Sequence, residues 1–176
     1  KVLAILGSGV QARSHAEALP FVRRFEEIRV WSPNREHAEK FADEIGARAT
    51  SVEEAVRGAD VVVTATNSKM SILHGEWLKP GCHVNAVGAC RPDWRELDDG
   101  AMRNVVFVDS REAAMKESGD VILSNAKIYA ELGEALAGQI DNRADETTIF
   151  KSLGMAVEDI AAALLVYRSV TGDRPV

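Results

Sequence analysis

The sequence is poor in cysteine. Its only two, Cys82 and Cys90, stand eight apart, and such a pair builds neither a disulfide framework nor a zinc or redox motif. The four histidines, His15, His37, His74 and His83, show no metal-ligand spacing either, so no metal is expected. A basic excess is also lacking. Lys and Arg number 21 against 27 Asp and Glu, a formal charge of −6, which leaves no cationic stripe to neutralise a nucleic-acid backbone. No apolar run approaches the roughly 20 residues needed to cross a bilayer. No signal-peptide pattern leads the chain, and it starts at Lys1 rather than at Met, as an excised piece would. The expectation is a cytoplasmic, reducing compartment, with neither nucleic acid nor membrane as partner.

What is present alternates in a regular way. Val2–Leu6 is a short apolar run of the kind buried on both faces in a parallel sheet. Further runs of that kind fall at 28–31, 60–66, 83–88 and 105–109. Helix-period segments lie between them. The first carries Ala12, Ala16 and Leu19 on one face and is expected to stop at Pro20. A second is expected to open with Ser32 as cap and Pro33 at its first position, and to end at Gly46. Ser51 and Glu54 form a capping box, and Asp93 with Glu96 reads as another, opening a helix to about residue 103. Residues 141–146 read as a surface loop. The pattern predicts an α/β fold, a Rossmann-type doubly wound parallel sheet with helices on both faces. Residues 1–150 form the nucleotide-binding unit of this reading. Residues 151–176 are read as a separate helical segment. From 153 to 167 only Glu158 and Asp159 carry charge, so apolar residues occupy every face, and such a helix requires cover from elsewhere.

The first turn explains the choice of ligand. Gly7-Ser8-Gly9-Val10-Gln11-Ala12 follows a strand and opens a helix, the G-x-G-x-x-A form of a dinucleotide fingerprint. Gly7 permits the tight turn and Gly9 lets backbone approach a pyrophosphate. The free N–H groups at the helix start then face the phosphates. At the end of the second strand, where an NAD site usually carries Asp or Glu, the chain reads Trp31-Ser32-Pro33-Asn34-Arg35. Ser32 and Asn34 can hydrogen-bond a 2′-phosphate and Arg35 can neutralise it, so NADP(H) is the expected cofactor. Thr64, Thr66 and Asn67 end another strand with polar groups for the second ribose or the nicotinamide. Val87 and Ala89, flanking Gly88, are small enough to admit a flat ring.

Three longer blocks carry a family resemblance: "NAVGACRPDWRELDD" from Asn85, "KESGD" from Lys116 and "FKSLGMAVED" from Phe150. In them the chain resembles the ornithine cyclodeaminase/mu-crystallin family, over essentially its whole length. The resemblance implies an NADP-binding Rossmann domain joined to a dimerisation and substrate domain formed mainly by a preceding segment, with the C-terminal helix returning to pack on it. For the mu-crystallin branch it implies reduction of cyclic ketimines to cyclic amino acids, a homodimer, and iodothyronine binding. It implies that Glu117 lies near the substrate and that Ser152 contacts the cofactor near the nicotinamide, while Ser152 also reads as a cap for the last helix. Cys90 falls where cyclodeaminases and related alanine dehydrogenases carry a catalytic Asp, which argues against those activities. Cys90 and Glu117 are thus the candidate catalytic residues. The alternatives are an amino-acid dehydrogenase or cyclodeaminase, and a non-catalytic protein that holds NADPH and a thyroid hormone.

Overall fold

A computed structural model describes residues 1–141, 143 and 145–172. Eight strands form one sheet in the order β3-β2-β1-β4-β5-β8-β6-β7, and all neighbours are parallel. The first half of the chain supplies β1 (Val2–Leu6), α1 (Val10–Val22), β2 (Glu27–Trp31), α2 (Arg35–Ile45), β3 (Arg48–Ala49), α3 (Val52–Val56) and β4 (Val61–Thr64). Next come β5 (His83–Ala86), β6 (Val105–Val108), α4 (Arg111–Glu117), α5 (Gly119–Ser124), β7 (Ile128–Glu131), α6 (Leu132–Leu136), β8 (Thr148–Lys151) and α7 (Ala156–Thr171).

Side chains alternate across each strand, so β1 serves two cores at once. Leu3 and Ile5 join Val30, Val61 and Val63 beneath α1 and α2, where Ala12, Ala38 and Phe41 meet them. Ala4 and Leu6 face the other way, with Val62, Val84, Val106 and Ile149. From β1 the chain proceeds outward to β2 and β3, then returns to the opposite side of β1 as β4. Strand order reverses between β1 and β4. In open α/β sheets a crevice forms there, outside the carboxyl ends of the strands.

Several local expectations change. α1 continues through Pro20 to Val22, because Pro20 is exposed in the last turn and removes only one terminal hydrogen bond. α2 begins at Arg35, and its cap is Asn34, whose side chain accepts from the His37 N–H at 3.2 Å, rather than Ser32. Gly46 ends it in the left-handed conformation, as expected. No helix opens at Asp93. The stretch yields only a 3₁₀ turn at Ala101–Arg103, since the N–H groups of Glu96 and Leu97 bond to the side chain of Asp120, 2.7 and 2.9 Å away. A tertiary contact has overridden a local capping preference.

The last helix starts after Met155, not after Ser152, whose N–H instead bonds to the Ala86 carbonyl at 3.0 Å. No described residue of α7 is buried. Within the segment read as a separate helix, residues 173–176 lie outside the described residues, as do 142 and 144 of the expected loop. β8 extends the sheet to Lys151, one residue into that segment. Among the described residues no helix is long and apolar enough to cross a membrane.

Candidate functional site

The turn between β1 and α1 is shaped by its two glycines. Gly7 has φ +128°, and a Cβ there would run into the carbonyl of Ala65, just past β4. Its N–H reaches back to the Trp31 carbonyl at 2.8 Å, so one residue joins the ends of β1, β2 and β4. A Cβ on Gly9 would meet nothing within 4 Å. No side chain caps α1, and Val10 and Gln11 are exposed, so the first amide N–H groups of α1 have no side-chain partner among the described residues. That bare, partly positive helix start fits a diphosphate. The Arg13 guanidinium donates to the Ser8 carbonyl and stacks over Phe41 at 4.7 Å, holding the turn from behind.

Ser8 Oγ donates to Ser32 Oγ at 3.0 Å, linking this turn to the end of β2. There a cavity of about 440 Å³ is lined by Trp31, Ser32, Pro33, Arg35, Thr50 and Glu54, among others. Both carboxylates that line it are engaged: Glu39 pairs with Arg35 at 2.7 Å and Glu54 with Arg48 at 2.6 Å. Arg35 is largely exposed and can swing toward an anion. Asn34 spends its carbonyl oxygen on the α2 cap, so only its amide N–H₂ remains for a ligand.

On the other side of β1 the strand ends are tied down by buried charges. Thr64 is fully buried, and its hydroxyl donates to Glu96 Oε2 at 2.8 Å. The Thr64 hydroxyl is thus engaged inside the protein. Thr66 gives both its N–H and its hydroxyl to Glu96 Oε1, each at 2.6 Å. Glu96 is itself fully buried, and Asp120, which holds the Glu96 N–H, is too. Asp120 Oδ2 lies 3.4 Å from Nζ of Lys151, another buried residue, and that ammonium donates to the Gly88 carbonyl. Burial pushes the carboxyls of Glu96 and Asp120 above the usual range. The Thr66 and Thr64 hydroxyls oppose this at Glu96, and the Lys151 charge opposes it at Asp120. Asp109 accepts from the N–H groups of Leu153 and Gly154 at 2.6 and 2.7 Å, fixing the turn after β8.

The remaining predicted residues lie in the loops after β4, β5 and β8 and at the end of α4. Asn67 is exposed, Val87 half-buried and Ala89 buried, the last with an unusual φ of +53°. Cys90 is exposed and Ser152 is half-buried beside the end of β5. Glu117, the last residue of α4, is exposed and makes no hydrogen bond or ion pair among the described residues. Two residues on, the Gly119 N–H bonds to the Arg91 carbonyl at 3.0 Å, which brings that segment to the loop after β5. The spacing of residues gave no sign of the Glu96–Asp120–Lys151 cluster. Its one sequence trace is that each of the three family-like blocks contributes one member.

The profile of the ornithine cyclodeaminase/mu-crystallin family matches residues 1–174. The ketimine reductase mu-crystallin of Mus musculus is 59% identical over 172 residues, covering 96% of this chain and 55% of the mouse protein. A Delta(1)-pyrroline-2-carboxylate reductase of Bacillus cereus is 40% identical over 185 residues, covering 95% of this chain and 57% of that protein. Among solved structures, Thermococcus litoralis Delta(1)-pyrroline-2-carboxylate reductase, in complex with NADH and L-proline, superposes with a TM-score of 0.90 at 34% identity. That match covers 98% of this chain and 58% of the other. The chain thus spans a little over half the length of the curated relatives it matches.

Proposed function

The chain belongs to the ornithine cyclodeaminase/mu-crystallin family, and we propose from that premise that it is the cofactor-binding part of an NADPH-dependent cyclic ketimine reductase. The observation that carries the reading is the uncapped start of α1 beside the open space at Gly9, at the point where strand order reverses. The relatives named above, reductases of ketimines and of a cyclic imino acid, supply the substrate class.

A bound reduced nicotinamide supplies a hydride to the imine carbon. The chain's own residues bind and orient it. Gly7, Ser8, Gly9, Val10 and Gln11 present the diphosphate turn. Ser32, Asn34 and Arg35 receive the 2′-phosphate: Arg35 exchanges its Glu39 partner for it, while Glu54 stays paired with Arg48. Thr66 through its backbone, Asn67, Val87, Ala89 and Ser152 border the nicotinamide half. Cys90 and Glu117 flank the substrate, with Glu117 free to meet a cationic iminium. An exposed cysteine at the position of the family's catalytic Asp leaves no carboxylate there for deaminating an amine. Reduction of a preformed C=N bond needs no such group.

The exposed apolar faces of α7 support a homodimer in which this helix is covered by protein outside the chain. Two free thiols support a cytoplasmic setting. The family's mu-crystallin branch adds iodothyronine as a second ligand of the same cleft.

The test uses the full-length protein. NADPH absorbance is followed with a cyclic ketimine, with pyruvate plus ammonia, and with ornithine. Consumption with the ketimine alone is expected, and Arg35→Ala should weaken NADPH more than NADH. Turnover of pyruvate and ammonia at a comparable rate would overturn the reading, as would tight cofactor binding with no turnover of any substrate.

A further inference from the structure

Three charged side chains, Glu96, Asp120 and Lys151, lie wholly inside the protein at the carboxyl ends of β4, β5 and β8. Such groups are poor stabilisers. Withdrawing them from water costs more than their mutual attraction returns, and apolar replacements of similar size often fold as well or better. What a buried ionic cluster does give is a fixed geometry for the atoms it bonds. Besides the hydroxyls of Thr64 and Thr66, those atoms are backbone: the N–H groups of Thr66, Glu96 and Leu97, and the carbonyl of Gly88.

Lys151 occupies the centre of this arrangement. It pairs in register with Ala86 of β5 on one side and Val108 of β6 on the other. From there its ammonium reaches the Gly88 carbonyl and Asp120 Oδ2. That carboxylate oxygen is buried and, among the described residues, has no hydrogen-bond donor besides this cation. The Gly88 turn has little freedom. A Cβ at Gly88 would collide with the Thr66 carbonyl and the Glu96 carboxylate, and Ala89 holds a left-handed backbone that disfavours any side chain. A turn in that conformation persists only when its surroundings impose it.

We infer that Lys151 is a positioning residue, whose ammonium sets the Gly88–Ala89 turn against which the nicotinamide end of the cofactor is laid. The inference rests on the cofactor reading given above. The β4–β5 side of the sheet serves the half of a dinucleotide opposite the adenosine, which belongs to β1–β3. Lys151 therefore acts on one half of the ligand only. A residue needed merely for folding would affect both halves alike.

The experiment compares ligands with and without the nicotinamide in the full-length protein. Lys151→Met alone leaves Asp120 uncompensated and is expected to destabilise the domain strongly, so the working variant is the double change Asp120→Asn and Lys151→Met. It removes both charges and keeps an oxygen for the Glu96 and Leu97 N–H groups. Calorimetry with 2′-phospho-ADP-ribose is expected to give wild-type affinity within about twofold, while NADPH weakens about tenfold. The emission of bound NADPH should shift toward that of the free coenzyme. Equal weakening of both ligands, or no weakening of NADPH, overturns the role of Lys151. If the wild-type protein binds neither ligand, the cofactor reading itself falls and takes this inference with it.

Discussion

A methyl group added at Gly7 would strike the Ala65 carbonyl at a backbone φ of +128°, whereas at Gly9 it would enter empty space from an ordinary φ of −83°. The two glycines of one motif are thus separable. Gly7→Ala is expected to cost about 3 kcal/mol or more of stability, through strain and collision together. Gly9→Ala should change stability by no more than about 0.5 kcal/mol. It should weaken dinucleotide binding about tenfold or more, because the new methyl occupies the approach to the phosphates. Urea melts and calorimetric titration of the two variants check this. A loss of stability in Gly9→Ala equal to that in Gly7→Ala would refute the separation.

At the scale of elements, the sequence exposed what depends on neighbours in the chain and hid what depends on distant partners. β1, β4 and β6 were readable because each is a dense run of β-branched and apolar residues, and β5 because Val84 and Ala86 alternate with His83 and Asn85. The diphosphate turn was readable because glycine spacing is a local requirement. β7 and β8 were not, since four-residue strands with Lys, Glu or Tyr in them carry no clear period. The missing helix after Asp93 failed for a related reason. Glu96 looks like a capping residue until the fold brings Asp120 and two threonines to it. α7 was readable as an apolar helix in want of cover, and it remains uncovered: Ile160 is 67% and Leu165 68% exposed. Ile160→Glu and Leu165→Glu in this chain are accordingly expected to shift the unfolding free energy by less than about 1 kcal/mol. They should also reduce self-association measured by light scattering. A large stability loss would show that α7 packs on the sheet after all.

For the molecule as a whole, stability should respond to pH through groups that burial and hydrogen bonding have displaced. Burial holds His83 below the ordinary imidazole value of 6.5, its ring enclosed between Thr148 and Asn85. The unfolded chain therefore takes up a proton near that pH while the native one does not, and stability is lost as pH falls through this window. Asp98 acts in the same direction further down. Burial pushes it up, but the N–H groups of Ala101 and Gly75 hold it below 3.8, so its contribution is lost only below that value. Glu96 and Asp120, both raised by burial, act the opposite way: the native state takes up their protons first, and stability rises as pH falls toward the ordinary carboxylate range. His83→Gln isolates one of these terms. Its destabilisation should be larger at about pH 7.5 than at about pH 5, because wild type has already lost the His83 contribution in acid. Urea midpoints at the two pH values measure the difference, and an equal cost at both would exclude His83 from the acid response.

The place of β8 has a consequence for biosynthesis. Residues 148–151 are inserted between β5 and β6, strands translated some 40 or more residues earlier. Until they leave the ribosome, β5 keeps an open edge and β6–β7 has nothing to dock against. A nascent chain paused short of that point presents two unpaired borders to its surroundings, the condition under which chaperone capture or aggregation competes with folding.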